Sequence, residues 1–149
     1  SRIVASAPVA APASRLRWDP AGHHYWEWAG SPVPGAASRI HYVSAGPADA
    51  PVLILVHGFG ASHYHWRYNV PALAQEYRVY AIDLLGFGLS DKPFVEYTGK
   101  VWARQIADFA REVAGLSPEA GRVAAVAGNS LGGYAALAAA AEHPGLFAG

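Results

Sequence analysis

Ser130 stands in Gly128-Asn129-Ser130-Leu131-Gly132, with a glycine two positions to either side of a hydroxyl. That spacing suits an activated serine that attacks an electrophilic carbonyl. A serine presented at the head of a sheet must ride a tight strand-to-helix turn in a strained backbone conformation, and its neighbours two positions away must lack side chains to avoid collision. Gly128 and Gly132 meet that need, and Gly133 lets the following helix approach the strand closely. The pattern alone arises in roughly one chain in ten of this composition, so context has to carry the argument. Here the apolar run Arg122 to Ala127 (RVAAVA) passes without a gap into the motif and on into a helical pattern from Leu131 to about Glu142. The Leu131 N–H, in the first turn of that helix, points where an oxyanion would form.

A second glycine-rich segment, His57-Gly58-Phe59-Gly60, follows the apolar run Pro51 to Val56 (PVLILV). Gly58 and Gly60 free the backbone there to present an amide, which makes the Phe59 N–H the second oxyanion donor. His57 is a tempting general base, but a base has to reach Ser130 from the opposite side, so His57 reads as a brace for its loop. Asp83 ends another strand, in Asp83-Leu84-Leu85-Gly86-Phe87-Gly88-Leu89-Ser90, and reads as part of a turn that fixes the strand exit. The pair His63 and His65 invites a metal, yet no third ligand of suitable spacing and no cysteine accompany it, so no metal site is assigned. His143, at the end of the last helical pattern, suits the helix dipole.

These segments have to be held by a sheet. Arg39 to Ser44 alternates like an edge strand and fits an antiparallel hairpin, while 51–56, 78–82 and 122–127 are continuous apolar runs of the kind buried on both faces. Helical patterns cover 66–77, 101–114 and 131–142. Strand alternating with helix predicts the α/β class: a mostly parallel sheet with helices on both faces, cut off after the helix that follows Ser130. One soluble-type domain fits 52% hydrophobic and 15% charged residues, and a formal net charge of +0 supplies no field for nucleic acid. No window is long and apolar enough for a spanning helix. With no Cys, disulfides and thiolate metal sites are excluded; with no Met and a start at Ser1, the sequence reads as a piece of a longer or processed chain. Residues 1–17, rich in Ala, Ser and Pro with three arginines, fit either a disordered linker or the tail of an organelle transit peptide, and 18–149 fit the N-terminal half of one domain.

In this order and at these separations, the three glycine-rich segments resemble the α/β-hydrolase superfamily over about Val52 to Gly149. Within it, His65-Trp66-Arg67, Tyr77 to Asp83 and Gly128 to Tyr134 are similar to the plant and algal pheophytinase-like branch. The resemblance implies a serine hydrolase with Ser130 as nucleophile, no cofactor, and a small, apolar ester substrate. A phytol ester of a chlorophyll derivative, and a chloroplast rather than a cytoplasmic location, follow from the narrower branch. It also implies that the acid and histidine of the triad and the substrate-selecting lid lie beyond residue 149, so that the piece by itself is inactive. Haloalkane dehalogenases share much of the pattern but place Asp where Ser130 stands. Two rivals remain. A dinucleotide-binding domain fails at its third glycine, where His63 stands; a non-catalytic binding protein on the same fold is opposed by the intact Ser130 motif.

Overall fold

The computed structural model describes residues 23–148; the readings of residues 1–17 and of Trp18 lie outside them. The elements run β1 (His24–Trp28), β2 (Ser38–Ala45), β3 (Val52–Val56), a single 3-10 turn at His63–Trp66, α1 (Asn69–Leu73), β4 (Arg78–Ile82), α2 (Gly99–Glu112), β5 (Ala124–Gly128) and α3 (Leu131–Glu142). The strands form a five-stranded sheet in the order β1-β2-β4-β3-β5. β3 runs parallel to both neighbours, with Val52 opposite Arg78 on one side and Ala124 on the other. β1 and β2 pair antiparallel, Trp26 opposite Ile40, and β2 runs antiparallel to β4. A parallel centre with an antiparallel hairpin at one edge is the α/β arrangement that alternating strand and helix patterns imply.

The period of two along each strand sorts the core into two layers. Ile54, Val56, Tyr80 and Ile82 face α2 and α3 and pack with Trp28 and Phe109. Leu55, Val79, Ala81 and Val43 face the other way, onto Val70 of α1. Helices therefore cover both faces. α2 begins where the Thr98 hydroxyl accepts the Val101 N–H at 3.3 Å, and it buries Trp102, Ile106 and Phe109 along one face.

Trp26 and Trp28 show where the aromatic bulk of the edge hairpin goes. Each indole N–H donates to a carboxylate of α2 at 2.9 Å, Trp26 to Glu112 and Trp28 to Asp108, two acids one helical turn apart. The edge strand is thus fastened to the helix above it.

The helix read over 66–77 is shorter than its pattern. Ser62 caps the 3-10 turn by accepting the Tyr64 N–H, and α1 then holds only Asn69 to Leu73. Pro71 explains the break: its ring would strike the carbonyl four residues back, at Arg67, so one continuous α-helix cannot pass through both. After Leu73 the bonds tighten, with Gln75 N–H on Ala72 O at 3.3 Å and Glu76 N–H on Leu73 O at 3.1 Å, and the chain turns into β4.

Candidate active site

β5 delivers the chain to Gly128 and α3 begins at Leu131, so Asn129 and Ser130 make the whole connection. Ser130 lies at φ 52°, ψ −116°, the one positive φ at a non-glycine residue among those described. Such a conformation costs of order 1–3 kcal/mol and survives only where its surroundings over-determine it. Here they do. The Asn129 N–H donates to Val56 O at 3.1 Å, and the Tyr134 N–H donates to Ser130 O at 3.0 Å. A Cβ on Gly132 would lie 2.3 Å from Val56 O and 2.4 Å from His57 O, and one on Gly128 would lie 2.3 Å from the Gly132 carbonyl carbon. These two glycines let α3 seat directly on the ends of β3 and β5. Gly133 is less confined, its nearest contact being Gly128 O at 3.2 Å. Ser130 itself is exposed at the carboxyl edge of the sheet, and Leu131 opens α3 with an amide that no carbonyl of its own helix can accept.

The loop after β3 abuts this connection: a Cβ on Gly58 would meet Asn129 Oδ1 at 3.0 Å and Ser130 Cβ at 3.5 Å. His57 is buried and uses both ring nitrogens, Nδ1–H donating to Gly58 O at 2.7 Å and Nε2 accepting the Leu84 N–H at 3.0 Å. It ties the exit of β3 to the exit of β4, and neither nitrogen is left to serve Ser130. Burial pushes its imidazole below the ordinary histidine range, with the bond to Gly58 O acting in the opposite sense. Because a trans peptide is planar with C=O and N–H opposed, turning Gly58 O onto the His57 ring aims the Phe59 N–H away from that ring. The Ala61 N–H also closes on Gly58 O at 3.2 Å, in a turn whose third residue, Gly60, sits at φ 69°.

Asp83 is the buried hub of the β4 exit. Burial alone would raise its pKa, but Nδ1 of His41 at 2.9 Å, Nδ1 and N–H of His63, and the Leu89 N–H at 2.9 Å outweigh it and hold the carboxyl well below the usual carboxylate range. Its main-chain carbonyl accepts from the Ser90 hydroxyl at 2.7 Å. A turn-fixing reading of Asp83 reaches this position; the partners His41 and His63 lie too far apart in sequence for spacing to reveal them. Sequence patterns also pass over a small apolar cavity of about 110 Å³ lined by Phe59, Gly86, Phe87, Tyr97 and Trp102, because its walls come from three separate segments. Phe59 is 79% exposed at its mouth. Together these features offer an exposed hydroxyl, amides at two loop ends beside it, and an aromatic recess next to them.

Comparison with known proteins agrees with this fold. The chain is similar to the chloroplastic pheophytinase of Arabidopsis thaliana, 35% identical over 144 residues, which covers 74% of this chain and 28% of that protein. A haloalkane dehalogenase of Mycobacterium marinum is 44% identical over 82 residues, covering 53% of this chain and 27% of that protein. The crystal structure of a membrane phospholipase A described as a bacterial virulence factor superposes with a TM-score of 0.73 at 34% identity, covering 85% of this chain and 37% of that one. The chain thus spans about a quarter to two-fifths of the length of these relatives. The alpha/beta hydrolase fold family matches over residues 51–149, and to that family this chain belongs.

Proposed function

We propose that the protein is a serine hydrolase that cleaves a carboxylic ester of a small, apolar substrate through an acyl-enzyme on Ser130. The observation that carries this reading is the backbone of Ser130 at φ 52°, ψ −116° on a two-residue strand-to-helix connection, a strain that a purely structural turn could relieve with glycine. In the reaction the Ser130 oxygen bonds to the ester carbonyl carbon while its proton passes to a histidine outside the described residues. The Phe59 and Leu131 amides take the negative charge that develops on the carbonyl oxygen, each worth about 10²–10³ in rate. The carbon–oxygen bond to the alcohol then breaks, the alcohol leaves with the proton, and water releases the acid.

Ser130 stands where dehalogenases of this superfamily carry Asp, which favours acyl transfer over halide displacement. The aromatic recess of Phe59, Phe87, Tyr97 and Trp102 favours an apolar group beside the scissile bond. Similarity to the Arabidopsis pheophytinase supports a phytyl ester as substrate and a chloroplast as the site of action. No helix among the described residues is long and apolar enough to cross a membrane.

The test is intact mass of the full-length protein and of its Ser130→Ala variant after exposure to a fluorophosphonate. An adduct on the wild type alone is expected, followed by turnover in a panel of phytyl and short-chain esters. Well-folded wild type that takes no adduct would overturn the hydrolase reading in favour of a binding protein on the same fold.

A further inference from the structure

At the exit of β4, around Asp83, the fold gathers three histidines that sequence spacing does not link: His23 ahead of β1, His41 on β2, and His63 at the first position of the 3-10 turn. One ring nitrogen of each lies within 4.8 Å of the other two, and the ring centroids are 4.5, 4.9 and 5.9 Å apart. We propose that His23, His41 and His63 form a binding site for a divalent transition cation of the zinc type, with the Asp83 carboxylate orienting two of the three rings.

Asp83 sets the tautomers. It accepts from Nδ1 of His41 at 2.9 Å and from Nδ1 of His63 at 3.1 Å, so in each neutral ring the lone pair that could bind a cation lies on Nε2. Nε2 of His41 already faces Nδ1 of His23 at 2.7 Å. A carboxylate behind an imidazole fixes the ring and makes its outer nitrogen a better donor. One carboxylate here does so for two rings at once.

Charge balance points the same way. The Asp83 side chain is fully buried, and among the described residues its ion-pair partners are His41 and His63, with no Lys or Arg. Four donors already hold the carboxylate, Nδ1 of His41, Nδ1 and N–H of His63 and the Leu89 N–H, and a cation on the far nitrogens of the two rings would add a compensating charge beside it.

The ligand set selects the ion. Three imidazole nitrogens suit zinc and its neighbours, whereas calcium and magnesium take oxygen. Tetrahedral zinc holds its nitrogens at about 2.0–2.1 Å, hence about 3.3 Å from each other. The close His23–His41 pair at 2.7 Å has to open slightly and the wider spacings have to close, to which rotation of the exposed His23 contributes on its side and a small shift of the His41 and His63 rings about Asp83 on the other. His41 and His63 are 0% and 6% exposed, so the ion would enter from the His23 side. Once bound, it would pin the β1–β2 hairpin to the segment that follows the Gly58–Gly60 loop. His65, paired with His63 when the sequence is read alone, takes no part.

The test uses the untagged full-length protein, stripped by a chelator and titrated with Zn²⁺ against a chromophoric chelator, then with Co²⁺ read by visible absorption. One equivalent of Zn²⁺ per chain, a tetrahedral-type Co²⁺ spectrum and a Tm raised by Zn²⁺ are expected. His23→Gln, a change at an exposed side chain, weakens binding by about tenfold or more, His63→Gln does the same, and His65→Gln leaves it unchanged. Less than one equivalent bound, or binding by H23Q equal to wild type, overturns the site and leaves the three rings as a hydrogen-bond relay onto Asp83. If H63Q fails to fold, the H23Q comparison decides alone.

Discussion

Strain concentrated on one residue has a measurable signature. Ser130→Gly relieves a positive φ that Ser130→Ala retains, so the glycine variant is expected to be more stable than the alanine variant by about 1 kcal/mol in urea unfolding, although both lose the fluorophosphonate adduct. The glycines around it differ in kind. Gly132→Ala puts a methyl against two main-chain carbonyl oxygens and is expected to cost about 2 kcal/mol or more, whereas Gly133→Ala faces one contact at 3.2 Å and costs less; thermal unfolding of the pair checks the order. His57 supplies a pH dependence. Its folded-state pKa is lowered, so below about pH 6.5 the unfolded chain takes up a proton that the folded chain resists, and stability falls as pH drops through that range. The Tm loss between pH 7 and pH 5 is expected to be smaller in His57→Asn than in wild type. The Ser130 motif was readable because its constraint is local, three glycines within six positions. The hub at Asp83 was not, because its partners His41 and His63 lie on other elements and meet it only after folding.

Among the elements, strands were the more legible. Runs such as Val52 to Val56 are apolar at every position because both faces of a central strand are covered, and no other element of that length needs this. The helix before β4 is shorter than its pattern: Pro71 is tolerated in the first turn, but only of a helix that starts at Asn69, which the spacing of apolar residues over 66–77 does not reveal. The aromatic edge strand carried a different gap. Composition shows that Trp28 needs burial but not that its indole needs an acceptor, which Asp108 supplies at 2.9 Å. Trp28→Phe keeps most of the burial and removes that bond while Arg104 Nε still pairs with the same carboxylate oxygen at 3.4 Å, and is expected to cost about 1 kcal/mol in urea unfolding. The loss should shrink in an Asp108→Asn background, a double-mutant cycle that isolates the pair.

Among the described residues, β1 and β5 are the two edge strands of the sheet. β1 is fastened to α2 through its tryptophans. At the β5 edge, Leu146 to Ala148 meets the strand at Ala124, where the Ala124 N–H donates to Leu146 O at 3.2 Å and the Ala148 N–H donates to Ala124 O at 2.8 Å. The outer end of β5 and the α3 residues Tyr134 and Leu137, 61% and 75% exposed, present main-chain groups and apolar surface together. Residues 1–149 expressed alone are therefore expected to self-associate, which light scattering after size exclusion would show as a mass above that of one chain. Which strands neighbour which was only partly legible: parallel pairing and crossovers follow from alternating patterns, but the placement of β3 between two later strands depends on contacts far apart in sequence. That placement has a consequence in time. A chain leaving the ribosome can pair β3 with β4 as soon as Ile82 has emerged, while the partner on the other side, β5, arrives only after the whole of α2 has been made. The serine's turn therefore forms after β3 and β4 can already be paired, bent onto strands that are in place before it. Translation arrested shortly before residue 124 should yield a nascent chain whose first four strands resist protease while the nucleophile does not yet exist.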